Sequence, residues 1–137
     1  MNVFPQRCVT SIRVRYAETD AMAVAHHASY LPWFEVGRTD LIREMGYPYK
    51  EMENDGVLLP VIEVQANYVR SVRYDDVLEL HSFPLEQTGS RLKIGYEMYR
   101  DKILVAKGHT IHAFTDKQGK PIRPPKKFLE KLYRLKK

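Results

Sequence analysis

Cysteine is all but missing from this chain of 137 residues, where Cys8 stands alone. That excludes an internal disulfide framework, and a single thiolate cannot by itself build a zinc site. Its expected place is a small, half-buried position at the start of a first strand. Long apolar runs are also missing. The longest, Val57-Leu58-Leu59-Pro60-Val61-Ile62, falls far short of the roughly 20 residues that cross a bilayer, so no stable membrane insertion is expected. The first residues, Met1 to Arg7, have neither the apolar core nor the cleavage site of a secretion signal, and a cytoplasmic location is expected. No Gly-x-Ser-x-Gly elbow and no phosphate-cradling glycine loop occurs.

The chain is 44% hydrophobic and 28% charged, enough for one real core under a polar surface, and residues 1–137 are expected to form a single domain. The net charge of +5 is unevenly placed. Nine Lys or Arg lie between Lys117 and Lys137 against one acid, Glu130, leaving 13 of 22 basic residues against 16 of 17 acidic ones in the rest. Such a tail suits nucleic acid, anionic lipid or a phosphorylated small molecule, and equally the solvated face of a closing helix.

Alternation marks a first strand over Val9–Tyr16, and Glu18–Ala28 reads as a loop. From Ser29, a candidate N-cap, Tyr30, Phe34, Gly37, Leu41 and Met45 recur at helical spacing until Gly46 stops the helix. Four strands are expected after it: Val57–Val69, with Ile62, Val64, Ala66 and Tyr68 on one face, then Val77–Glu86, Arg91–Arg100 and Ile103–Thr115. They are read as a hairpin succession, with turns at Thr88-Gly89-Ser90 and Asp101-Lys102. Phe128, Leu129, Leu132 and Leu135 suggest a short closing helix. Strands with one apolar face need a cover, and one long helix is the only element large enough to supply it. The expectation is an α+β domain, a long central helix wrapped by an antiparallel sheet of about five strands. So few elements leave sheet uncovered, so a homodimer or homotetramer is expected.

The loop from Tyr16 to His27 gathers Glu18, Asp20, His26 and His27 just before a helix N-terminus, where unpaired amides carry partial positive charge. A carboxylate beside such donors can attack, or activate water against, an activated acyl group. Each residue also has a plainer reading. Asp20 could cap a turn and Glu18 be solvated. Tyr16, Tyr30 and Trp33 could be ordinary core or interface aromatics, and Glu35 a surface residue. His26 and His27, being adjacent, do not converge easily on a metal, and His109 and His112 have opposite parity on a later strand; no metal site is expected.

The stretch Tyr16-Ala17-Glu18-Thr19-Asp20, through His26-His27 and Tyr30, to Trp33-Phe34-Glu35-Val36-Gly37-Arg38 resembles the signature of the 4-hydroxybenzoyl-CoA thioesterase family. It is most similar to the branch of short and medium acyl-CoA thioesterases associated with the bacterial Tol-Pal system. The likeness continues through Tyr68–Asp76 and from Lys107 to Pro125. It implies a hotdog fold, a catalytic dimer with active sites between protomers, and often a tetramer. It assigns the essential carboxylate to Asp20 and an oxyanion-binding amide to His27, whose imidazole would orient water or substrate, and it places Tyr16 in the site lining. Ala23 stands where glycine is usual, His26 where an aromatic is common, Ser29 where asparagine is frequent and Ser71 where proline is often found. These departures bear on acyl specificity more than on the reaction.

The reaction so implied is hydrolysis of an acyl-CoA, either short to medium chain or aryl, with no cofactor beyond the coenzyme A carried by the substrate. Tyr30 is a candidate for the substrate-binding wall. Arg70, Arg73 and Arg91, at expected strand ends, are candidates for the phosphates of coenzyme A, with solvated edge charge as the plainer reading. Two other classes stay open: a hydratase or dehydratase of acyl thioesters on the same fold, and a non-catalytic protein binding acyl-CoA or using its basic tail. Nucleic-acid binding ranks last, because the tail has little aromatic interleaving.

Overall fold

The computed structural model describes residues 4–134. Strand β1 (Cys8–Arg13) leads through two short 3-10 turns, Tyr16–Glu18 and His27–Ser29, into helix α1 (Tyr30–Glu44). Helix α2 (Tyr49–Asn54), strands β2 (Val61–Tyr68), β3 (Val77–Thr88), β4 (Arg91–Arg100) and β5 (Ile103–Ala113), and helix α3 (Lys126–Tyr133) follow. The five strands form one antiparallel sheet in the order β1-β3-β4-β5-β2.

Helix α1 buries Tyr30, Trp33, Phe34, Gly37, Leu41 and Ile42 against β1, β3 and β4. The inward row of β4 is the expected one, Leu92, Ile94, Tyr96 and Met98, each at most 2% exposed, and Phe34 stacks on Tyr96 at 4.3 Å between ring centres. Gly37 lets helix and sheet approach closely, since a Cβ there would overlap Ser82 Oγ and Leu80. One helix wrapped by one antiparallel sheet is the hotdog architecture that the sequence led us to expect.

Five readings are corrected. The strands are not a plain hairpin succession: β3, β4 and β5 form a meander, but β2 pairs with β5 at the far edge. The expected inward row of β2 is largely exposed, because α1 covers the opposite half of the sheet and an edge strand there has no cover. Strand β2 begins at Val61 rather than Val57. The preceding residues close helix α2, which stops at Gly56 with φ +82°, and Pro60 has no N–H to give a ladder. Ser29 does not cap α1. Its backbone is already helical, and its hydroxyl donates instead to Glu18 O at 2.9 Å. Cys8 is fully rather than half buried; burial first, then the neighbouring Glu44 carboxylate, pushes its thiol up to about 12. Of the closing-helix residues, Phe128 and Leu132 are buried and Leu135 lies outside the described residues.

Candidate active site

After β1 the chain turns at Tyr16–Glu18, and Glu18 folds inward. Its carboxylate accepts hydrogen bonds from Arg15 N at 2.7 Å, Arg15 Nη2 at 3.2 Å and Trp33 Nε1 at 2.8 Å. Burial alone would raise its pKa, but these donors outweigh it and hold the group below the usual carboxylate range. The plainer reading of Glu18 as a solvated carboxylate is therefore corrected.

Asp20 closes the next turn on itself. Its Oδ1 accepts from the amides of Met22 at 2.8 Å and Val24 at 3.2 Å, and its own N–H donates to Val24 O at 2.9 Å. Ala23, between them, adopts φ +62°, the left-handed region that favours glycine. The segment 72–74 backs this loop: Ala25 N donates to Val72 O at 2.9 Å, and Arg73 Nη1 to Met22 O at 3.3 Å. The Met22 and Val24 amides, followed by the neighbouring His26, lower the pKa of Asp20, so it is ionised at neutral pH. Among the described residues its second oxygen, Oδ2, has no hydrogen-bond partner.

The turn His27–Ser29 runs directly into α1. The amides of His27 and Ala28 have no acceptor among the described residues, and they stand at the positive end of the combined helix. Asp20, Val24, Ala25, His26, His27 and Ala28 line one open cavity of about 460 Å³. An ionised carboxylate and two open main-chain donors therefore share a concave site, which suits attack on a carbonyl whose oxygen becomes negative.

The other candidates are placed unevenly. The His27 ring stacks on Tyr68 at 4.4 Å and 10°. Tyr30 is 2% exposed, packed against Trp33 and Tyr68, so it backs the aromatic cluster rather than facing the cavity. Tyr16 is 73% exposed with its ring 5.1 Å from Tyr74, away from the cavity lining; its carbonyl accepts from Thr19. Arg73 lies at the rim, and Arg70 in the exposed segment after β2. Arg91 is not brought to the site within one chain. It opens β4, whose other end, Arg100, is bonded to Ser71 O and Asp76 beside the loop, and a ten-residue strand spans about 30 Å. His112 is buried and bonded to Thr110 and Leu59 O, while His109 lies on the outer face, as opposite parity requires.

Sequence reasoning did not foresee the contact of Glu18 with Trp33, fifteen residues on, nor the anchoring of segment 71–76 by Arg100. Only the Arg15-to-Glu18 spacing carried a local signal, that of a capped turn.

Comparison with known proteins bears on the fold and on the class of enzyme. The model of the thioesterase-like superfamily matches residues 14–132. The candidate acyl-CoA thioesterase YneP of Bacillus subtilis is 40% identical over 119 residues, covering 85% of this chain and 86% of that protein. The acyl-CoA thioesterase YbgC of Haemophilus influenzae is 28% identical over 127 residues, covering 91% and 93%. The crystal structure of a DHNA-CoA thioesterase from Staphylococcus aureus superposes with a TM-score of 0.82 at 34% identity, covering 85% of this chain and 80% of that one. The class of enzyme expected from the sequence, a thioester hydrolase, is thus the class its relatives carry, and the chain belongs to the thioesterase-like superfamily.

Proposed function

We propose that the chain hydrolyses an acyl-CoA, of short to medium chain or with an aryl acyl group, to the free acid and coenzyme A. The observation that carries this reading is the shared cavity of Asp20 and the unpaired His27 and Ala28 amides. The thioester carbonyl oxygen would accept from those amides. Asp20 Oδ2 either attacks the carbonyl carbon, expelling the coenzyme A thiolate and leaving a mixed anhydride that water opens, or takes a proton from the water that attacks. In both routes one water is consumed, and one carboxylate and one thiol leave.

The His27 imidazole stacks one face on Tyr68, and among the described residues no carboxylate or other partner orients its ring nitrogens, which favours a role for its amide over acid–base work at carbon. That supports hydrolysis over the hydratase reading. Arg73, bonded to Met22 O of the loop, and Arg70, three residues before it, are the proposed contacts for coenzyme A phosphates. Arg91 would reach a site only from a second protomer. A homodimer is proposed through the exposed β2 edge, where unpaired backbone groups and apolar side chains coincide.

A screen of saturated acyl-CoAs of increasing length and of aryl-CoAs, read by release of free thiol, tests the function. Turnover on at least one class is expected. Loss of the acyl-CoA without thiol release would mean chemistry at carbon instead, and no turnover on any would refute the reading. His27→Ala should lower kcat only about tenfold, since its amide survives and removal of one oxyanion donor costs about 10²–10³.

A further inference from the structure

Glu18 lies two residues before Asp20 and is 8% exposed. Its side chain holds Arg15 at the exit of β1 and Trp33 in the body of α1. Its carbonyl oxygen accepts from both His26 N and Ser29 Oγ, each at 2.9 Å. Those two donors straddle His27 and Ala28, the residues whose amides are open. One residue therefore joins three segments: the strand exit, the helix and the turn that presents the oxyanion donors. The loop's other ties, Val24 to Arg73 and Ala25 to Val72, run to the segment after β2 and not to the helix.

We propose that Glu18 is a positioning residue of the thioester site, fixing Asp20 at working distance from the amides of His27 and Ala28. Only an acceptor-only side chain suits the place, because all three groups facing it are donors. A glutamine would turn its NH2 onto an Arg15 or Trp33 N–H. A misplacement of about 1 Å in such a site can cost about 10²-fold in rate.

This inference rests on the reading above, so wild-type thiol release and its loss in Asp20→Asn are established first; without them that reading fails, and not this one alone. The variants are then Glu18→Gln and Trp33→Phe, the second removing only the indole N–H. Trp33 is the sole tryptophan, so its fluorescence reports whether the local packing survives. For folded Glu18→Gln, kcat should fall about 10–100-fold with KM within about threefold. The acid limb of kcat should stay where it is, because the Met22 and Val24 amides that lower the Asp20 pKa belong to its own turn and do not depend on Glu18. Trp33→Phe should lower kcat in the same way by less. Unchanged kcat in the folded variant, a rise in KM alone, or a fall in kcat with a shifted acid limb, which would mean that the Asp20 turn itself is disturbed, would overturn the proposal. If Glu18→Gln does not fold, Trp33→Phe decides, and full kcat there overturns it.

Discussion

Glu18 and Asp20 are carboxylates two positions apart with opposite surroundings, and the difference lies in what faces them. Arg15 and, from a distant helix, the Trp33 indole surround Glu18 with donors, while Asp20 meets only amides of its own turn and leaves one oxygen open. Between Asp20 and Val24 the chain needs a left-handed residue and uses Ala23. Relieving a left-handed alanine is worth roughly 1–2 kcal/mol, offset by roughly 0.4–1 kcal/mol of extra freedom in the unfolded chain. Ala23→Gly is therefore expected to stabilise the fold by about 0.5–1 kcal/mol, read as a higher denaturant midpoint; a lower midpoint would mean the turn is not strained. His112 makes a second case at this scale. Burial, opposed by its bond to Leu59 O and aided by the nearby Arg38 charge, lowers its pKa to about 4. Above the unfolded value near 6.5 both states are neutral and the contribution is fully present. As pH falls from there to about 4 the unfolded chain gains a proton the folded one refuses, so stability is lost, by an amount on the order of 3 kcal/mol. Denaturation at pH 7, 5.5 and 4 should show that slope in wild type and a flatter one in His112→Gln.

Packing of α1 on the sheet depends on Gly37 and Ser82. The Ser82 hydroxyl is buried with no partner among the described residues, a burial that costs about 1–3 kcal/mol. Ser82→Ala should thus be neutral to about 1 kcal/mol stabilising, whereas Gly37→Ala should cost about 2 kcal/mol by overpacking and lose less in the Ser82→Ala background; thermal unfolding of the three variants checks both. This element level is also where the sequence was most legible. The 3.6-residue period of Tyr30–Met45 and the two-residue period of Arg91–Arg100 follow from burial of one face, and both elements stand where expected. What periodicity could not carry was partner choice. Ile62, Val64 and Tyr68 alternate like a covered strand, but cover depends on where α1 lies, and α1 lies over β1, β3 and β4. Helix α2 was missed because six residues hold too few periods to register. In the site, the motif residues Asp20 and His27 were legible as a cluster, whereas the Glu18–Trp33 bond is tertiary and leaves no local trace.

The whole molecule ends at an uncovered edge. Val61, Ile62, Val64 and Tyr68 of β2 are each 41–47% exposed, a row a second copy can cover by antiparallel pairing of β2 with itself. Tyr68, against His27, would then bring the Asp20 cavity to the seam between protomers. Light scattering should give a dimer or a multiple of one, and Val64→Lys should yield monomer with reduced turnover; a fully active wild-type monomer would contradict that arrangement. The central claim, that ionised Asp20 acts on a carbonyl held by the His27 and Ala28 amides, is tested most directly by kcat for thiol release in Asp20→Asn. Cys8, buried and protonated, should leave the thiol signal to coenzyme A. The account predicts a fall of about 10³-fold or more with unchanged folding and mass, and a kcat within tenfold of wild type would contradict it.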